Sequence, residues 1–337
     1  MIHEVKHILD TAQQWQLQQH KMVLATVVAL EGSSYRRPGV RMLINDKGAA
    51  VGAVSGGCVE KEVHRQAVGV LASGKPKMMQ YDGRVRLGCE GILYVLIEPF
   101  FPKKELLSLF NRAWEARKPI EIQSRYVKEV GAHTALGSTL HFENGILSFG
   151  NASNKATSGT LLFKQTLLPV QQLYIFGAEH DAVALCTTAH HLGWKVTVVA
   201  PPDEQKTIAF FPGCQQLLTP IPETLQLKDI DPQTAVVLMS HSFTKDLQYL
   251  IALKYSRPAY LGLLGPAHRR ERLMSAFLER FPETDPDFLE LCYGPAGLHI
   301  GAESAQEIAL SIMGEVLSVM RQSLPSSLRH KVGKIHE

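Results

Sequence analysis

From Leu173 onward the apolar pattern alternates between two periods, and this restricts the fold more than any other feature of the chain. Short, uniformly apolar, β-branched runs recur: LYIFG (173–177), KVTVVA (195–200), AVVLMS (235–240) and AYLGLLG (259–265). Such runs read as strands buried on both faces. Residues 182–192, 245–255, 268–281 and 305–321 instead carry apolar side chains at helical spacing. Strands joined by helices predict a parallel, doubly wound α/β sheet, because a parallel crossover needs a helix-length connection.

The first half has a different rhythm. Val5, Ile8, Leu9, Ala12 and Trp15 predict an amphipathic helix, and MVLATVVAL (22–30) a buried strand. Residues 41–45, 51–54 and 91–100 read as extended. Val59, Val63, Ala67 and Val70 form a helical stripe that Gly74 and Pro76 end. A helix over 103–117 stops before Pro119, and Asn144-Gly145 marks a hairpin in 140–149. A chain of 337 residues exceeds one ordinary core. The polar stretch GNASNKATSG (150–159) lies near the change of rhythm, and we set the boundary before Pro169. The expected architecture is α/β: a mixed α+β domain over 1–168, then a doubly wound parallel-sheet domain with a C-terminal helix over 169–337.

Composition removes several function classes. A net charge of +3 gives no general electrostatic case for nucleic acid or a membrane surface. No apolar run reaches the roughly 18 residues of a bilayer span. MIHEVKHILD lacks an apolar signal-peptide core, so a cytoplasmic protein is expected. The five cysteines form no CxxC pair and should be free thiols. The 14 histidines show no metal-binding spacing.

Chemistry concentrates in three segments of the first half. In VSGGCVEKEV (54–63), Ser55, Gly56 and Gly57 precede Cys58 at a predicted helix start. Unpaired N–H groups and the helix dipole there favour a thiolate, and the same amides could cradle an anion. Cys58 could equally pack as a small hydrophobe in a tight turn. Glu60 is either a polar contact or a favourable first-turn charge. A second thiol, Cys89, again lies between glycines in RLGCEGILYV (86–95). In EGSSYRRPGVRM (31–42), Ser33, Ser34, Arg36, Arg37 and Arg41 could bind phosphate, or form a solvated basic turn. Cys186, Cys214 and Cys292 are assigned to packing or surface roles.

In the second half, Gly177-Ala178-Glu179-His180-Asp181-Ala182 occupies the place of a dinucleotide fingerprint. Glu179 stands where glycine lets pyrophosphate approach the backbone, and the next strand ends in Ala200-Pro201-Pro202, with Asp203 late for a ribose. Tight NAD(P) binding is therefore not expected. Gly177, Ala178, Asp181 and His241 remain the candidates for any nucleotide contact. The basic helix start His268, Arg269, Arg270 and Arg272 reads as a solvated face, or as a surface for a phosphate or an acidic partner.

Taken in order, GSSYRRPGVRM, VGAVSGGCVEKEV and LGCEGILYVLIEP resemble the XdhC/CoxI family of xanthine dehydrogenase and carbon monoxide dehydrogenase accessory proteins. IFGAEHDA, LMSHSFTKDLQYL, YLGLLGPAHRRERL and GLHIGAESAQEIALSIMGEVL resemble that family's Rossmann-like C-terminal domain. The resemblance implies a maturation factor. It would hold the molybdenum cofactor (molybdopterin) as cargo while a cysteine desulfurase supplies sulfur, then deliver it to a xanthine-dehydrogenase-type apo-enzyme. Cys58 and Cys89 would then contact molybdenum or carry sulfur, since soft thiolates suit that metal. Alternatives from other classes are an NAD(P)-dependent oxidoreductase and a cysteine-based sulfur carrier. A homodimer would be unsurprising.

Overall fold

The computed structural model describes residues 2–32, 37–85, 91–143, 145–150, 159–225, 227 and 229–332. Ser33, Ser34, Arg36 and Cys89 lie outside the described residues, as does the side chain of Cys58. The chain divides into two compact units, Met1–Pro169 and Val170–Glu337. No described helix is long and apolar enough to cross a membrane.

The first unit runs α1 (Ile2–Leu17), β1 (Met22–Glu31), β2 (Arg41–Asn45), β3 (Ala50–Gly52), α2 (Cys58–Ser73), β4 (Lys77–Asp82), β5 (Ile92–Pro99), α3 (Lys104–Glu115), β6 (Ile120–Tyr126), β7 (Gly131–Ala132), β8 (Gly137–Phe142), β9 (Gly145–Ser148) and β10 (Leu161–Leu167). One antiparallel sheet has the order β3-β2-β1-β5-β4-β7, and a second has the order β10-β6-β8-β9. Strand alternation sorts β1 into two faces. Val23, Ala25 and Val27 pack under α2 against Val59, Val63, Ala67 and Val70. The helix ends where Gly74, at φ 66°, donates its N–H to the Val70 carbonyl, a left-handed cap that glycine adopts freely.

The opposite face of the first sheet carries a buried polar seam to the second sheet. Glu98 of β5 accepts from the Ser138 N–H at 2.8 Å and the Ser138 hydroxyl at 2.5 Å. Ser138 also hydrogen-bonds Ser124 at 2.7 Å. Gln165 of β10 accepts from Arg41 at 2.5 Å. β4, β6, β7 and β10 have no counterpart in the sequence reading, and this seam explains β6 and β10. Ser124 interrupts the apolar alternation of β6, and β10 exposes Leu161 and Leu162 while burying Gln165.

The second unit runs β11 (Gln172–Phe176), α4 (His180–His191), β12 (Lys195–Val199), β13 (Gln216–Leu218), β14 (Thr234–Leu238), α5 (Phe243–Leu253), β15 (Tyr260–Leu263), α6 (Ala267–Leu278), α7 (Pro286–Glu290), β16 (Cys292–Tyr293) and α8 (Ala305–Met320). Its sheet order is β13-β12-β11-β14-β15-β16, parallel throughout. This is the doubly wound order, with its switch point between β11 and β14. Leu173 and Ile175 face α4 and α8. Tyr174 and Phe176 face α5, α6 and α7. Burial on both faces is why these strands read as continuous apolar runs.

Candidate functional site

The antiparallel register brings three connections to one end of the first sheet. β1 rises to Glu31, which pairs with Ile92, and β4 rises to Asp82, which also pairs with Ile92. β2 descends from Arg41 opposite Thr26, and β3 returns to Gly52 opposite Met42. The connections that follow Glu31, Gly52 and Asp82 therefore all leave this end. The first connection folds back on β1: Gly39 donates to the Val27 carbonyl at 2.7 Å, and Val27 to that of Val40 at 3.1 Å. The third is closed at its base by the Gly83 N–H on the Gly91 carbonyl at 3.0 Å. The segments that carry the Ser/Arg motif, the Gly-Gly-Cys motif and Cys89 thus meet the sheet at a common edge.

Cys58 opens α2, as its sequence context predicts. Gly57 supports this start with φ 118°, a conformation that L side chains rarely adopt. A Cβ at Gly56 or Gly57 would meet no atom within 4 Å. Both are exposed, so a ligand has room to approach the backbone there. Arg37 is exposed on the preceding connection and Ser55 is half-buried.

Two of the candidate contacts engage the protein itself, Arg41 against its reading as a phosphate contact and Glu60 in line with its reading as a first-turn charge. Glu60 turns back onto its own loop: its carboxylate accepts from the N–H groups of Val54 (3.2 Å), Ser55 (2.6 Å) and Gly57 (2.6 Å). The amides expected to cradle an external anion are thus largely satisfied from within. The reason is spacing, because a glutamate three residues into a helix reaches the capping N–H. Glu60 shapes the loop rather than extending toward a ligand.

Arg41 lies inside the unit at 6% exposure. Pairing with Thr26 places it on the face covered by the second sheet. It donates to the Gly39 carbonyl at 2.7 Å and to Gln165 at 2.5 Å. Its Nε and Nη2, and the Thr26 hydroxyl, have no hydrogen-bond partner among the described residues. Burial brings the guanidinium down to about 10, against the fields of Glu98 and Glu4. Burial pushes the Glu98 carboxyl up to about 7, while the Ser138 hydrogen bonds and the Arg41 charge act in the opposite direction. Arg41 therefore positions the Ser/Arg connection through Gly39 and does not face solvent as a phosphate contact.

In the second unit, the switch point is built and largely self-satisfied. Gly177 sits at φ 150°, and any Cβ there would collide with the Met239 carbonyl. Ala178 is buried behind it. Across the crevice His241, at φ 56°, reaches Asp181 of α4 with its Nε2 at 3.1 Å. Buried Asp246 accepts from the Ser240 hydroxyl at 2.5 Å and from Arg269 at 2.7 Å. Lys245 contacts Asp203 at 3.1 Å. The basic helix start is likewise used internally. Beyond Arg269, Arg270 donates to the Cys292 carbonyl at 3.4 Å and Arg272 lies over the Phe243 ring at 5.2 Å. Sequence reasoning missed the Asp246–Arg269 pair. Its signal was an acid in the first turn of one predicted helix and an arginine in the first turn of the next.

Comparison with known proteins agrees with both units. Residues 15–82 match the XdhC and CoxI family, and residues 173–316 match the XdhC Rossmann domain. A protein of Bacillus subtilis (strain 168) named as a probable xanthine dehydrogenase subunit is 29% identical over 332 residues, covering 90% of this chain and 94% of that protein. The molybdenum cofactor insertion chaperone PaoD of Escherichia coli (strain K12) is 26% identical over 306 residues, covering 88% and 83%. The crystal structure of a xanthine dehydrogenase from Bacillus halodurans superposes with a TM-score of 0.76 at 27% identity, covering 93% of this chain and 95% of that one. With both units matched and relatives aligned along most of its length, the chain belongs to the XdhC and CoxI family.

Proposed function

We propose that this protein binds the molybdenum cofactor as cargo at the loop end of its first sheet and passes it to a xanthine-dehydrogenase-type apo-enzyme. The observation that carries the reading is the common sheet end from which the connections after Glu31, Gly52 and Asp82 depart, with open space beside Gly56 and Gly57. The relative PaoD, named a molybdenum cofactor insertion chaperone, supports the assignment of cargo and of a molybdoenzyme partner.

On this reading Ser33, Ser34, Arg36 and Arg37 hold the cofactor's phosphate, and Cys58 and Cys89 supply soft sulfur at molybdenum or receive sulfur from a cysteine desulfurase. Glu60 and Arg41 act one step back: each fixes the backbone of a connection that carries contact residues. The second unit serves as a scaffold without a nicotinamide. Glu179 keeps its side chain at the turn, and the acid after β12 is already engaged by Lys245.

The test is to mix the purified protein with extracted cofactor, separate it by gel filtration, and measure co-eluting molybdenum and pterin. Near-equimolar retention of both is expected. Titration with NAD and NADP runs in parallel. Binding of either nucleotide with no retention of cofactor would replace this reading with an oxidoreductase.

A further inference from the structure

The second unit holds a pair of thiols that the proposed function does not use. Cys186 lies on α4, buried, and Cys214 is half-buried in the loop before β13. The turn 211–214 lies along α4. The Cys186 thiol donates to the Pro212 carbonyl at 3.5 Å, with that of Phe211 at 4.0 Å. One helical turn further, His190 packs so closely on Gly213, at φ 88°, that no Cβ would fit there. The turn is closed by the Cys214 N–H on the Phe211 carbonyl at 3.0 Å. The Cys214 sulfur sits 3.0 Å from the Gln216 carbonyl and 3.8 Å from that of Val196. Both residues meet the Phe211 carbonyl, Cys186 through its sulfur and Cys214 through its N–H, which makes the two thiols neighbours across this clamp.

From this geometry we propose that Cys186 and Cys214 form a reversible dithiol–disulfide pair that ties α4 to the loop before β13.

The environment divides the two roles. The neighbouring Cys186 thiol brings the Cys214 thiol down to about 7. The same neighbourhood, together with burial, pushes the Cys186 thiol up. Cys214 is thus the attacking sulfur, accessible and readily ionised, and Cys186 the resolving one. Cys292 lies on the opposite face of the sheet, where burial pushes its thiol up to about 12, and it stays out of the reaction. No three His, Cys, Asp or Glu side chains among the described residues gather to hold a metal ion. That favours oxidation chemistry over metal ligation.

With a peroxide as oxidant, the Cys214 thiolate attacks one peroxide oxygen. An S–O bond forms, the O–O bond breaks, and the departing hydroxide takes a proton to become water. The Cys186 sulfur then attacks the resulting sulfenic acid. An S–S bond forms, the S–O bond breaks, and hydroxide leaves with the Cys186 proton as a second water. Two thiols lose two electrons and the peroxide gains them. Dithiothreitol reverses the bond by thiol–disulfide exchange.

The experiment treats the purified full-length protein with hydrogen peroxide. It then denatures the protein, alkylates remaining thiols, and maps peptides by mass spectrometry without reduction. The expected product is a cross-linked peptide pair holding Cys186 and Cys214, lighter by two hydrogens and released by dithiothreitol. In Cys186→Ser, Cys214 should stop at a sulfenic acid that dimedone traps. Recovery of Cys186 as an alkylated thiol in the oxidised parent protein overturns the proposal, as does a Cys214 cross-link to Cys58 or Cys89. The parent measurement decides the matter even where a variant folds poorly.

Discussion

Glu98→Gln isolates the buried seam beneath the candidate site. The Glu98 carboxyl is 1% exposed and moves from an ordinary 4.5 up to about 7, chiefly through burial. A raised folded-state value means the folded protein binds this proton more tightly than the unfolded chain. The resulting stability is fully present below about pH 4.5 and is lost as pH rises through about 7. The shift corresponds to about 3 kcal/mol in all, of which about 2 kcal/mol disappears between pH 5 and pH 7. Glutamine keeps the shape, accepts the Ser138 N–H with its carbonyl and donates to the Ser138 hydroxyl, but carries no proton to lose. Urea unfolding followed by tryptophan fluorescence, at pH 5 and pH 8, compares the two proteins. The variant should gain on the parent by about 2 kcal/mol or more across that interval. A constant difference at both pH values would refute the assignment of a buried, pH-dependent charge to Glu98.

Three further outcomes follow from individual contacts. Glu60→Ala removes the acceptor for the Val54, Ser55 and Gly57 amides and should destabilise the first unit by about 2 kcal/mol in thermal melts, with Glu60→Gln recovering part of it. Asp246→Leu leaves Arg269 without its buried acceptor and should cost about 3 kcal/mol, whereas adding Arg269→Met should restore most of that loss. Gly177→Ala forces a Cβ against the Met239 carbonyl in a left-handed backbone and should lower stability by about 2 kcal/mol, read as a drop in Tm of the second unit.

Strands β11, β12, β14 and β15 and helices α4, α5, α6 and α8 of the second unit were legible because their apolar residues serve one purpose, burial on both faces of a parallel sheet, whereas the short β13, α7 and β16 carry too few residues to show a period. Val59, Val63, Ala67 and Val70 likewise announced α2, and Gly74 its end. The pattern failed where polar side chains are buried for each other. Gln165 reads as a surface residue until Arg41 is seen beside it, and Ser124 until Ser138 is. The same cause governs the site. That Cys58 would start a helix followed from the glycines before it, and that three chemical segments share one sheet edge required the register. The inward turn of Arg41 followed from its pairing with Thr26, which no local pattern encodes. The return of Glu60 onto the loop amides was foreshadowed by its place in the first turn, but a favourable charge and a ligand contact look alike in sequence. The clamp that joins Cys186 to Cys214 depends on His190 packing over Gly213, a long-range contact with no sequence period.

The most direct test of the central claim is cofactor retention by the parent protein, Cys58→Ala and Cys89→Ala, measured as bound molybdenum and pterin per chain at equilibrium. The parent should retain both, and at least one of the two variants should lose about tenfold in affinity, an amount suited to one lost ligand or charged contact. Unchanged binding of both variants would contradict a thiol-bearing cargo site at the loop end of the first sheet.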